Sequence, residues 1–313
     1  MSNHSLSRCE IVPLPDQQVR FQIDGREVTC WHGSHSAPRP FFFPLLGPGD
    51  TWLTRMGHPG APNHDHHRSV WFAHHHVSGI DFWSDNTSSR VRQQRWLAFA
   101  DGDEECRFAF ELDWLDAGHD PQPLMKQTLL GAVIPDEDQQ WLLEFQAEFT
   151  PTSQMLELGK TNFGFLAVRV ARTISAVFGG GQLRDSEGRV GERAIFGRRA
   201  RWMDYSGPAR SGQTGQARTV GICIMDHPDN RTHPCHWHVR DDGWMGASVC
   251  FAEPIMIEPT RPLSLRYQLW IHDGPCDPAA IERRFVSFAG RHRLELTKRP
   301  RPHEHFGITR ADR

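Results

Sequence analysis

The sequence predicts an all-β protein, a large antiparallel β-sandwich with few short helices. Three observations lead there. Apolar and polar residues alternate with a period of two in several runs, the pattern of a strand with one buried face. Gly and Pro clusters punctuate those runs. Only one stretch joins helical spacing to a helix start signal.

Along the chain, Val19-Arg-Phe-Gln-Ile23 alternates, and Gly25 follows as a turn signal. Pro40 to Leu46 is a short apolar run that holds two prolines and ends in Gly47-Pro-Gly49. Cys106 to Trp114 alternates over nine residues, and Trp141 to Phe149 (WLLEFQAEF) repeats the pattern. Gly179-Gly-Gly181 and Gly207-Pro208 read as turns. Val220 to Met225 and Leu263 to Ile271 are two further strands. The helix starts at Asp277, with Pro278 at its first position and apolar residues at helical spacing as far as Phe288. Short strands separated by Gly/Pro turns indicate a sandwich. With no repeat and no low-complexity linker, the 313 residues read as a single domain, 1–313. Its ordered core is expected from about residue 8 to about residue 299, with a frayed tail over about 300–313.

Composition narrows the function classes. Hydrophobic residues make up 38% of a chain with net charge −3, which fits a globular protein and offers no polyanion-binding surface. The basic run Lys298 to Arg301 reads as a solvated end. No stretch reaches the roughly 18 apolar residues of a membrane helix. The first fifteen residues are polar and lack the apolar segment of a secretory leader. The seven cysteines are scattered, odd in number and form no CxxC pair, so a reduced, cytoplasmic setting is expected. Neither a G-x-S-x-G elbow nor a nucleotide-binding glycine loop occurs, which argues against a serine hydrolase and a nucleotide cofactor.

The unusual counts are 19 histidines and 11 tryptophans against two tyrosines. Six of the histidines fall between Asn63 and Gly79. If this segment is extended, His64 and His66 share a face, as do His74 and His76, and a third pair is His236 and His238. Two imidazoles on one face can hold a divalent ion together with a third ligand from another strand. The sequence makes no cofactor certain and offers one candidate, a divalent metal: Zn, Mn or Co. The alternative is a polar groove of hydrogen-bonded histidines used for acid–base work or sugar binding. Arg55, Arg68, Arg169, Arg240 and Arg266 are candidate forks for carboxylate or paired oxygens. Trp71, Trp83, Trp202 and Trp237 are candidate stacking surfaces.

Several stretches resemble the bacterial family labelled "methane oxygenase PmoA". They are Arg39 to Gly49, Thr54-Arg55, His64 to His74, Gly79 to Trp83, Asn162 to Arg169, Ala200 to Gly207, Trp237 to Arg240 and Pro262 to Gly274. The resemblance implies a supersandwich like that of galactose mutarotases and a setting in sugar catabolism. It picks out Arg55, His64, His66, His67, Arg68, Trp71, His74, Asp81, Trp83, Arg169, Trp237, His238, Arg240, Arg266 and His272. His75, His76 and His236 stand outside the pattern, and Asn63 stands where relatives often have Asp. The metal candidates that remain are the pair His64 and His66, with His74.

The function expected is an enzyme of sugar or keto-sugar catabolism that abstracts a proton next to a carbonyl or hemiacetal, as an isomerase, epimerase or lyase. Such a step needs a base and a group that holds the developing oxyanion. His67 or His238 is the expected base, and Arg68 and Arg240 the oxygen-holding groups. Arg55, Trp71, Asp81, Trp83, Arg169, Trp237, Arg266 and His272 are the expected substrate contacts. The expected partner is a small sugar or keto-sugar, with no nucleic acid and no membrane; the oligomeric state is open. A non-catalytic carbohydrate-binding protein is the rival reading, and a metal-dependent oxygenase is what the family label implies.

Overall fold

The computed structural model describes residues 6–58, 60, 61, 64–298 and 302–312. Strands β1 to β6 are Cys9–Leu14, Gln18–Ile23, Arg26–His32, Phe41–Gly47, Thr51–Trp52 and Val70–His74. Strands β7 to β12 are Arg90–Ala100, Cys106–Leu115, Pro123–Pro135, Trp141–Pro151, Leu156–Leu158 and Gly164–Arg169. Strands β13 to β17 are Gln182–Asp185, Trp202–Arg210, Ala217–Asp226, His236–Arg240 and Trp244–Ser248. Strands β18 to β21 are Ile255–Ile257, Leu263–Asp273, Leu294–Thr297 and Gly307–Arg310, and the helices are α1 (Glu192–Ile195) and α2 (Pro278–Ala289). With 51% strand against 7% helix, the chain is the all-β, large antiparallel sandwich that its alternation predicts.

Two large sheets make the sandwich. One has nine strands, in the order β1-β2-β3-β4-β6-β12-β17-β16, with β5 paired to β4. The other has eight, in the order β13-β14-β15-β19-β10-β9-β8-β7. Their facing sides bury the main core, to which alternate residues contribute: Phe108, Phe110 and Leu112 from β8, Leu143, Phe145 and Ala147 from β10, and Val70 and Phe72 from β6. The eight-stranded sheet covers its other face with α2 and the C-terminal strands, through Ile281, Phe285, Phe288, Leu294 and Ile308. Asp277 caps α2 by accepting from the N–H groups of Ala279 and Ala280. The other face of the nine-stranded sheet carries the aromatic cluster of Phe41, Trp71, Trp83 and Trp244, and the site is built there.

Two expectations need correction. The C-terminal segment is not a frayed tail. Strand β21 pairs with β20, Ile308 is buried, and Arg310 bonds Glu105 and Glu144 on the eight-stranded sheet. Polar composition hid it, because its anchors are an ion network rather than an apolar run. Residues 299–301 of the basic run lie outside the described residues. Gly207-Pro208 is not a turn but lies inside β14. A side chain on Gly207 would collide with Ile174 and Gly181, and β13 pairs only as far as Ser206. Proline therefore follows where β14 has lost that neighbour.

Candidate functional site

Sheet register assembles the site. Directly paired residues share a face. His32, Phe41, Trp71, Ala167, Gly246 and His238 are successive partners across β3, β4, β6, β12, β17 and β16, and form one transverse row. Two residues along, Arg169, Trp244 and Arg240 form a second row. The alternating residues Val168, Met245, Trp237 and Val239 face the main core. Gly246 is the smallest member of its row for a steric reason: a Cβ there would stand 2.8 Å from Cζ3 of the Trp244 indole.

The histidine-rich segment folds over these rows. Ser69 takes a left-handed φ of 52° just before β6 and donates its hydroxyl to Thr54. Arg68 bridges to Met56, and the Gly57 N–H bonds the His67 carbonyl at 2.6 Å. His67 is thereby buried against Trp71, at 5.6 Å and 26° between rings, and against Trp244 at 5.4 Å. Arg39, itself buried, pins the covering loops by donating to the carbonyls of His66, Phe82 and Ser84.

The result is a cleft of about 240 Å³. Imidazoles of His64, His66, His67, His75 and His238 line it with Trp83, Phe163 and Trp244, and Arg240, Asp242 and Ser84 complete it. Depressions of about 430 and 490 Å³ lie elsewhere on the surface. They are bordered by turns whose charges already pair, Arg8 with Asp24 and Arg218 with Asp273, and no histidine lines them. Five of the chain's imidazoles meet in the smaller cleft.

Burial sets the electrostatics. It drives His67 far below the usual imidazole value, with His66 and Arg169 adding to the effect. Burial, then Arg39, lowers His66 to about 4, and burial, then Arg240, lowers His238 to about 3. These rings are neutral at pH 7 and act there as acceptors, donors or bases, not as cations. His238 places Nδ1 3.0 Å from the Asn162 carbonyl oxygen. Among the described residues, His238 Nε2, His67 Nδ1 and the indole Nε1 atoms of Trp71 and Trp83 are buried and have no hydrogen-bond partner. Each such atom costs about 1–3 kcal/mol; three of the four belong to residues that line the cleft, and Trp71 stands behind it.

The charged groups are held more firmly. Arg240 pairs with Glu192 at 2.7 Å and lies over the Phe196 ring at 4.8 Å. Asp242 accepts from Arg169 at 2.9 Å, and its carbonyl accepts from Arg55 at 3.2 Å. Burial, then the neighbouring Arg169, lowers Arg55 to about 10.

Of the residues expected at the site, His64, His66, His67, Trp83, His238 and Arg240 line the cleft, and Trp71 and Arg169 support it from the rows. Arg55 stands behind the cleft on the Asp242 carbonyl, and the others are elsewhere. Arg68 is committed to Asp85 at 2.6 Å. Asp81 caps a turn, its carboxylate accepting from the N–H groups of Trp83 and Ser84. Trp237 faces the main core and donates to the Ala200 carbonyl. Arg266 and His272 belong to the eight-stranded sheet, where they meet Glu144 and Asp204.

The expected metal set does not form. His64 to His66 is a turn rather than a strand, and His74 stacks on Phe165 in the interior and bonds the Gly159 carbonyl. The rings of His64, His66 and His67 lie 6.1, 5.4 and 4.3 Å apart. Among the described residues no group of three His, Cys, Asp or Glu side chains is arranged to hold a metal ion. Asn63 lies outside the described residues.

Sequence reasoning missed His75, Phe163, Asp242 and Trp244. The last two follow β16 across a tight hairpin, and Trp244 pairs with Arg240. Alternation in His236 to Arg240 carried a usable signal, since it separates Trp237 from His238 and Arg240.

Residues 18–286 match a family of unknown function, DUF6807. The chain belongs to that family. No curated protein matches this DUF6807 chain. Among solved structures it is similar to 4-alpha-glucanotransferase from Thermococcus litoralis, with 8% identity and a TM-score of 0.32 over 87% of this chain; the chain spans 40% of that protein. It is also similar to a putative mutarotase (YeaD) from Salmonella typhimurium, with 12% identity and a TM-score of 0.31, covering 85% of this chain and 97% of that one.

Proposed function

We propose that the cleft binds a small sugar or keto-sugar and moves a proton at the carbon next to its carbonyl or hemiacetal. One observation carries this reading: two buried neutral imidazoles, His67 and His238, meet the indoles of Trp83 and Trp244 in one small cleft, with the Trp83 N–H buried and unpartnered among the described residues. Flat aromatic faces suit the C–H face of a sugar ring, and buried N–H groups and ring nitrogens suit its hydroxyls. At about 240 Å³ the cleft is below the 300–1,000 Å³ or so typical of drug-sized ligands, which favours a single ring over a chain. His238 or His67 takes the proton, and Arg240 lies beside the cleft to hold the developing oxyanion. The burial that keeps the base neutral also weakens it.

That weakness also favours a second reading, a carbohydrate-binding protein without turnover. The two separate in one experiment. The protein is incubated in D₂O with a panel of aldoses, ketoses and keto-sugars, and melting shifts and proton–deuterium exchange at carbon are followed together. A melting shift with exchange that His238→Ala abolishes supports the enzyme. A shift without exchange supports the binder, and no shift with any member overturns both. Within the same proposal, the setting is sugar catabolism, as the resemblance to the PmoA-labelled group implies, in the reduced cytoplasm that the scattered cysteines suit.

A further inference from the structure

The two ring nitrogens of His238 meet different surroundings. Nδ1 lies 3.0 Å from the Asn162 carbonyl oxygen and 3.1 Å from the Asn162 side-chain amide. Nε2 is buried and has no partner among the described residues. The rings of Phe163, Phe196 and Trp244 pack around the imidazole at 4.9, 4.9 and 4.1 Å.

The carbonyl decides where the proton sits. A carbonyl oxygen only accepts, so an Nδ1 lone pair held 3.0 Å from it would be repelled, whereas an Nδ1–H is bound. The Asn162 amide presents Nδ2 to the ring, and it fits an Nδ1–H once turned about its terminal bond so that Oδ1 faces the imidazole. The carbonyl itself cannot move away. Ser248 donates its hydroxyl to it at 2.6 Å, the neighbouring Thr161 N–H bonds the Cys250 carbonyl, and the Phe163 carbonyl accepts from the His75 N–H. His74 holds the start of the same segment through the Gly159 carbonyl. The buried histidine that was expected to bind metal instead anchors the segment that carries Asn162.

We propose that Asn162 is the positioning residue of this site: it fixes His238 with the proton on Nδ1, leaving the Nε2 lone pair as the proton acceptor of the cleft. The role of acceptor rests on the proton-transfer reading above; the tautomer does not. Solution imidazole favours the other tautomer, so the protein must select this one, and the clamped carbonyl is the means.

The experiment needs no substrate. Long-range ¹⁵N–¹H correlation spectra of uniformly ¹⁵N-labelled protein report which ring nitrogen of His238 carries hydrogen, with His238→Gln to assign the signals. The expected result is a protonated Nδ1 and a bare Nε2 at neutral pH, persisting as the pH is lowered towards 4. Arg240, 2.7 Å from Glu192, is the charged group on the strand of His238, and no charged side chain comes from the Phe163, Phe196 or Trp244 positions. Asn162→Asp adds an opposite charge at Nδ1 and should raise the midpoint of the His238 titration by about 1–3 pH units. Asn162→Ala, which keeps the backbone carbonyl, should leave the proton on Nδ1. A proton on Nε2 in the parent overturns the proposal, and so does an Asn162→Asp variant whose His238 titration is unmoved. If the tautomer is as stated and no sugar exchanges hydrogen, the positioning stands and only the function reading fails.

Discussion

Acidification from about pH 7 to about pH 5 should remove much of the protein's stability, through histidines that the fold keeps neutral. His74 and His238 are both fully buried, and burial lowers each to about 3. In the unfolded chain each titrates near 6.5. Between about 3 and 6.5 the unfolded state therefore binds more protons than the folded state. Stability rises with pH across that window, is complete above it, and is lost as the pH falls. Each such group contributes about 1.4 kcal/mol per pH unit. Over the 1.5 units or so below 6.5, the two together remove about 4 kcal/mol by about pH 5. His67, His66 and His227 are lowered for the same reason and act in the same direction. A domain holds only about 5–15 kcal/mol in all. Urea unfolding followed by tryptophan fluorescence at the two pH values measures the loss. His74→Gln, which cannot titrate, should reduce the pH slope by about one proton. Equal unfolding free energies at the two pH values, within about 1 kcal/mol, would refute the claim that these rings are buried and neutral.

Three further outcomes are expected. Arg310→Ala leaves the buried Glu144 carboxylate with only its longer contacts to Arg266 and Arg291, at 3.4 and 3.9 Å, and should cost about 3 kcal/mol, the low end for a broken buried pair; a calorimetric melting point unchanged from the parent would mean that β21 is not a clasp. Gly246→Ala drives a methyl into the Trp244 indole and should cost about 1–3 kcal/mol, with a shifted tryptophan emission and loss of any sugar-induced melting shift; an unshifted emission spectrum counts against close packing of Trp244 over Gly246. For metal, a chelator should leave the melting point unchanged, and His66→Ala and His75→Ala should hold equal, substoichiometric Zn²⁺; near-stoichiometric metal lost only in His66→Ala would restore the metal reading.

The strands that alternate cleanly were legible from residues alone. Cys106 to Leu115 and Trp141 to Pro151 bury every second side chain in one core, and a period of two is a local property. The helix was legible for a similar reason, since Asp277 and Pro278 satisfy its first turn without help from distant residues. The site was legible only as a density of histidines. His64 and His66 looked like strand ligands because spacing assumes an extended chain, yet left-handed Ser69 and the bond from Gly57 to His67 fold that segment into a turn. Arg266 and His272 carry the same residue types as Arg240 and His238 and differ only in which sheet their strand joined.

The sequence by itself determined the all-β class, the helix and the region from which the site is drawn, because hydrophobic period, caps and residue chemistry act within a few residues. Tertiary structure alone decided which histidines meet. Register across β6, β12, β17 and β16 sets His238 in the row of Trp71 and turns Trp237 into the core. Burial then made His67 and His238 neutral. The β16–β17 hairpin is local, but it reaches Trp71 only through pairings between residues more than 60 positions apart, Trp71 with Ala167 and Ala167 with Gly246, and no local pattern records them.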